Sequence, residues 1–225
     1  MKIAVSVLDC VERLESIDRL NSTNISYIHI DVMDGNFVVK STFRDIGEIR
    51  KIGQLSRFPL DIHFMESSPI EYINQLENMN IEFITVHLEI DKDIREIVKK
   101  IHELGYKAGL AIKPGTDISK VYEYFDIIDI VLIMSVEPGM GGQKFMDITV
   151  NRVQQLKQSI LEFGKNILIE VDGGINNETI KKLQGVDISV VGSYIVKSDN
   201  YNERIESLFK NIWVILIKKK LPPNW

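Results

Sequence analysis

With 225 residues, 44% of them hydrophobic, the chain is long enough to bury one sizeable core, and a single α/β domain over residues 1–225 is expected. A net charge of −5 lacks the basic character that duplex nucleic-acid binders carry. Cys10 is the only cysteine, which excludes an intrachain disulfide and a cysteine zinc cluster and fits a reducing cytoplasm.

The N-terminal MKIAVSVLDCVERLES has a short apolar stretch closely followed by acidic residues, unlike a secretory signal. Its β-branched run, IAVSVL, is the first expected strand and carries Ser6 near its end. YIHIDVM (27–33) is the second. Side chains alternate across a strand, so Ile28, Ile30 and Val32 share one face while His29, Asp31 and Met33 share the other. Asp34 then opens the following loop as a turn residue. LDIHFM (60–65), the third strand, repeats the pattern with Asp61, His63 and Met65, Asp61 lying one layer deeper than His63. Burying a histidine and a carboxylate on one face is costly unless something neutralises or coordinates them. A divalent cation held between the two strands does both.

FITVHL (83–88) is the fourth strand and brings His87 and Glu89 to its end. In DKDIREIVKKIHELG, Ile94, Ile97, Val98 and Ile101 fall at helical spacing, Gly105 stops the helix, and His102 reads as a surface residue. KAGLAI (107–112) leads to Lys113, DIVLIMSV (129–136) carries Met134, ILIEVD (167–172) carries Glu170 and Asp172, and ISVVG (188–192) ends at Gly192 and Ser193. The last helix ends in the apolar run 212–217, far short of the roughly 20 residues needed to span a bilayer, and 218–225 reads as an exposed tail.

Strands alternating with helices predict a parallel sheet with right-handed crossovers, and eight such units imply a (β/α)8 TIM barrel. An open doubly wound sheet is the competing architecture; it needs its ligand groups at one switch point. In a barrel, the C-terminal strand ends form the active face, where all of these candidates fall. EPGMGGQKF (137–145), VDGGIN (171–176) and VVGSYI (190–195) follow the last three strands. Glycines there let backbone N–H groups approach an anion, aided by a helix N-terminus, at the usual phosphate position of such barrels.

In order, SVL, HIDVMDGNF, DIHFM, VHLE, KPGT, VLIMSVEPGMGGQKF, EVDGGI and VGS closely resemble the ribulose-phosphate 3-epimerase family over residues 3 to about 196. The resemblance implies a ribulose-phosphate-binding barrel that interconverts D-ribulose 5-phosphate and D-xylulose 5-phosphate with one divalent metal. It assigns the metal to His29, Asp31, His63 and Asp172, and the two proton transfers to Asp31 and Asp172. It also assigns substrate contacts to Ser6 and His63, a methionine cap to Met33, Met65 and Met134, and phosphate binding to Gly139, Met140, Gly141, Gly142, Gly173, Gly174, Gly192 and Ser193. Two histidines and two carboxylates suit zinc, with iron, manganese or cobalt compatible.

The expected partners are a small sugar phosphate and further copies of the chain in a homo-oligomer, with no nucleic acid and no membrane. Three departures stand out. The loop reads DGNFVVK, with Asn36, Val39 and Lys40 where the family usually has His, Pro and Asn, and that loop is expected to border the substrate. Glu66 is expected near the mouth, and the connection KKLQGVDIS is short. Alternatives are a 3-epimerase of a ketohexose 6-phosphate such as allulose 6-phosphate, and a catalytically silent barrel acting as a binding protein.

Overall fold

The β-branched runs form strands and most of the charged segments between them form helices, as their periodicities predict. The computed structural model describes the backbone of residues 1–220 and the side chains of residues 1–213. Its strands are β1 (Lys2–Ser6), β2 (Tyr27–Asp34), β3 (Ser41–Thr42), β4 (Leu60–Met65), β5 (Ile81–His87), β6 (Lys107–Ile112), β7 (Ile130–Met134), β8 (Leu168–Asp172) and β9 (Ile188–Val191). The helices are α1 (Arg13–Asn21), α2 (Ile46–Leu55), α3 (Ile70–Ile73), α4 (Ile94–Glu103), α5 (Ile148–Glu162), α6 (Ser193–Val196) and α7 (Tyr201–Lys220).

Every strand except β3 pairs in parallel with its neighbours in the order β1, β2, β4, β5, β6, β7, β8, β9, and β9 pairs back onto β1. This ring is a closed TIM barrel, so the open doubly wound sheet is excluded: β1 has partners on both edges. The two-residue β3 was not expected. The loop after β2 folds back so that Ser41 and Thr42 pair antiparallel with Asp34 and Met33. Two connections are less helical than the sequence implied, holding only the 3₁₀ helices Ile118–Tyr124 and Thr179–Lys182. The second lies in the short KKLQGVDIS connection, where little chain is left for a longer helix.

Ile28, Ile30 and Val32 are fully buried in the apolar layer shared with the surrounding helices. Inside the barrel, Ala4, Tyr27, Phe83, Ile130 and Ile188 plug the N-terminal end, with the Tyr27 and Phe83 rings meeting edge to face at 5.5 Å, and Val190 joins this cluster to the cavity above. In α4, Ile94, Ile97, Val98 and Ile101 are all buried, Asp93 accepts the N–H groups of Arg95 and Glu96, and Gly105 has φ +83° past the helix end. The apolar face dominates: each buried side chain contributes roughly 1.5–3 kcal/mol, against about 1 kcal/mol for the cap. His102 is at the surface beside Asp129.

Ile205, Leu208 and Ile212 of α7 are buried, whereas Trp213 is exposed. The expected tail, 218–225, lies outside the residues whose side chains are described. Among the described residues, no helix is long and apolar enough to cross a membrane.

Candidate active site

The register between β2 and β4 sets the site. His29 lies opposite Asp61, Asp31 opposite His63, and Met33 opposite Met65, so three successive inward layers pair up. Across the barrel, β8 raises Asp172 beside Met134 of β7. Ser135 fixes that strand end, its N–H donating to the Asp172 carbonyl at 2.7 Å and its Oγ to the Gly173 carbonyl at 2.6 Å. Donor atoms of His29, Asp31, His63 and Asp172 all lie within 4.8 Å of one another.

The two histidines are held in defined tautomers. His29 Nδ1–H donates to Asp61 Oδ2 at 2.6 Å, which turns Nε2 toward Asp31. His87 Nδ1–H donates to Glu89 at 3.0 Å, so His87 Nε2 accepts from His63 Nε2–H, also at 3.0 Å, and His63 Nδ1 faces Asp31. Burial pulls the His87 pKa down to about 4 against the opposing hydrogen bond to Glu89, which keeps that acceptor lone pair free. Glu89 also accepts the Lys113 N–H and the Thr116 hydroxyl, on a loop whose carbonyls bind the Arg152 guanidinium. His29 Nε2 and His63 Nδ1 are buried without hydrogen-bond partners. Two orphaned imidazole nitrogens and two carboxylates converging on one point fit a divalent cation.

The local electrostatics separate the two carboxylates. Burial raises the Asp31 pKa, but His29 and His63 outweigh it and hold the group well below the usual carboxylate range. Asp172 is pushed up to about 6 by burial and then by the Asp31 charge. Burial disfavours a charged His29, yet Asp61 and Asp31 raise its pKa well above the ordinary value, so a cation at Nε2 replaces a proton. Below it, Glu170 is completely buried with both carboxylate oxygens unpartnered, and burial and Asp61 push its pKa well up. His29, Asp61 and Glu170 form a second close trio of donors. It is the weaker candidate: His29 Nδ1 is already committed to Asp61, and neither Asp61 nor Glu170 lines the cavity.

Above these residues opens a cavity of about 320 Å³. Asp31, Asp172, Ser6, Met33, Met65 and Met134 line it, with His29 and His63 behind its floor. Ser6 Oγ–H donates to Asp31 Oδ2 at 2.7 Å. The other wall is made by Gly139, Met140, Gly141, Gly142, Gly173, Gly174, Gly192 and Ser193. Gly174 has φ +63°, and a Cβ there would lie 2.4 Å from the Phe145 backbone nitrogen, so no other residue lets these two loops meet. The helix that follows Gly192 is the single turn α6, so the glycine backbone and nearby side chains, not a macrodipole, make this wall.

Two expectations about the rim change. Glu66 is 2% exposed, ion-paired with Arg44 and outside the cavity lining, because Arg44 neutralises its buried charge. Asn36 and Val39 do not line the cavity, and Val39 is 98% exposed. Asp34 acts as the turn residue, its Oδ1 accepting the Asn36 and Phe37 N–H groups, and this turn directs Val38 onto Met33 and Met65. The sequence reading missed Asp9 and Lys197, which meet Ser193 at the glycine wall. Their signal was position: Asp9 follows Ser6 by three residues and Lys197 follows Ser193 by one helical turn, at the ends of adjacent strands.

One consequence is testable on the free protein. His87→Ala removes the acceptor that fixes the His63 tautomer, and zinc affinity, measured by competition with a chelator, is expected to weaken about 10- to 100-fold. Unchanged affinity would show that His63 needs no such partner.

A profile of the "Ribulose-phosphate 3 epimerase family" matches residues 2–196. The chain is 34% identical to the ribulose-phosphate 3-epimerase of Helicobacter pylori, over 92% of this chain and 96% of that protein. It is 37% identical to that of Chlamydia trachomatis, over 87% and 84% respectively. The crystal structure of 3-hexulose-6-phosphate synthase from Salmonella typhimurium shares the fold, with a TM-score of 0.65, 17% identity, and coverage of 96% of this chain and 100% of that one. The barrel, the order of the motifs along it and these matches together show that the chain belongs to the ribulose-phosphate 3-epimerase family of carbohydrate isomerases.

Proposed function

We propose that the protein inverts C3 of a ketopentose phosphate, interconverting D-ribulose 5-phosphate and D-xylulose 5-phosphate. The observation that carries this reading is that Asp31 and Asp172, on strands three places apart around the ring, reach the same cavity with donor atoms within 4.8 Å, facing a glycine-built wall. Inverting a carbon beside a ketone requires removing its proton from one face and returning one from the other, which a single base does poorly. Asp31, kept ionised, accepts the C3 proton from one epimer, and protonated Asp172 delivers a proton to the opposite face of the enediolate; the roles reverse for the other epimer.

His29 through Nε2, His63 through Nδ1, Asp31 and Asp172 would hold one divalent cation, and this donor set suits zinc, with iron, manganese or cobalt compatible. Such a cation supplies Lewis-acid stabilisation of the charge developing on the substrate's ketone oxygen. Ser6 Oγ–H orients the Asp31 carboxylate. Met33, Met65 and Met134 surround the reacting carbons with polarisable, poorly hydrated surface that limits stray protonation. The glycine wall and Ser193 hold the phosphate, so the distance from that anchor to the carboxylates selects C3.

Incubating the metal-loaded protein with D-ribulose 5-phosphate should yield D-xylulose 5-phosphate, resolved by 13C NMR; absence of turnover would refute the assignment. Ser193→Asp sets a carboxylate against the phosphate and should raise KM on the order of 100-fold. An unchanged KM in that variant would put the phosphate elsewhere.

A further inference from the structure

In the free protein, the wall assigned to phosphate already holds an anion of the chain's own. Asp9, on the turn after β1, accepts the Ser193 Oγ–H at 2.5 Å and pairs with Lys197 Nζ at 3.0 Å, both through Oδ2. Its carboxylate lies so close to Gly141 that a Cβ on that residue would be 2.5 Å from Oδ2. Ser193 Oγ and Lys197 Nζ also border Gly142, where a Cβ would meet them at 3.6 and 3.9 Å. Partial burial raises the Asp9 pKa, but Ser193, Lys197 and the charge of Lys40 together hold it below the usual carboxylate value. A hydroxyl, an ammonium group and a glycine backbone are the surroundings that a phosphate oxygen requires. Asp9 lines the same cavity as Asp31 and Asp172, yet the two-carboxylate chemistry gives it no task.

We propose that Asp9 stands in the place of the substrate's phosphate in the free protein and sets the affinity for it. Phosphate binding transfers the Ser193 hydroxyl and the Lys197 ammonium from the Asp9 carboxylate to phosphate oxygens, and the displaced carboxylate remains nearby as a like charge. A free phosphate ion therefore binds poorly. A sugar phosphate binds because contacts at its ketose end offset that displacement, which makes Asp9 a specificity determinant against small anions. The inference rests on the phosphate reading of the glycine wall and deepens it.

Inorganic phosphate is the probe, measured as a competitive inhibitor of D-ribulose 5-phosphate turnover by the metal-loaded protein. Asp9→Asn keeps the shape and removes the charge. Its phosphate inhibition constant should fall about tenfold, and KM should fall by more than kcat changes. Asp9→Ser should act in the same direction, and Lys197→Met should raise the inhibition constant. If phosphate competes but binds no more tightly to Asp9→Asn and Asp9→Ser than to the parent protein, the role of Asp9 is overturned while the phosphate wall stands. If phosphate competes with none of these proteins, the phosphate reading falls and the inference falls with it.

Discussion

Asp172→Asn should lower kcat/KM for epimerisation on the order of 10⁴-fold while leaving one half of the reaction intact. The substitution keeps side-chain volume and the Ser135 clamp on the strand end, so the barrel persists. With Asp172 unable to carry a proton, Asp31 still removes and returns the C3 proton of whichever epimer presents that proton to it. In D2O, that epimer should lose its C3–H signal without inverting, and the other should keep it. Asp31→Asn should give the complementary pattern. Because both residues are proposed metal ligands, cation content must be measured in the same samples, so that loss of the ion is distinguished from loss of the base. Exchange of both epimers in either variant would mean that one group serves both faces.

Stripping the cation with a chelator should lower kcat on the order of 10³-fold, and about one equivalent of zinc or manganese should restore it. The effect is large because negative charge develops on the substrate in a pocket that already holds two carboxylates. Without a cation, that charge meets the same buried surroundings and Asp31 charge that push the Asp172 pKa up to about 6. The stripped protein should remain folded, since His29 retains Asp61, and His63 retains His87, as hydrogen-bond partners. Full activity after stripping would remove the cation from the mechanism.

The barrel was legible because its strands are buried on both sides yet keep period-two alternation where the interior turns polar: His29, Asp31 and Met33 stand out against Ile28, Ile30 and Val32. The four residues brought together at the cavity floor stood in three motifs that carried the family resemblance. Their tautomers were not legible, because they depend on the register that sets Asp61 beside His29 and on a His87 ring arriving from the neighbouring strand. Glu66 was misplaced because its partner, Arg44, comes from a loop whose path no local pattern specifies. Asp9 and Lys197 are separated by most of the chain and meet only because the barrel closes between β1 and β9. The two-residue β3 is too short to leave a periodicity.

Anomalous diffraction at the zinc edge from crystals of the metal-loaded protein gives the most direct test of the cation site. One peak is expected, at bonding distance of about 2.0–2.2 Å from His29 Nε2, His63 Nδ1 and carboxylate oxygens of Asp31 and Asp172. A peak beside Asp61 and Glu170, or none near His63, would contradict it.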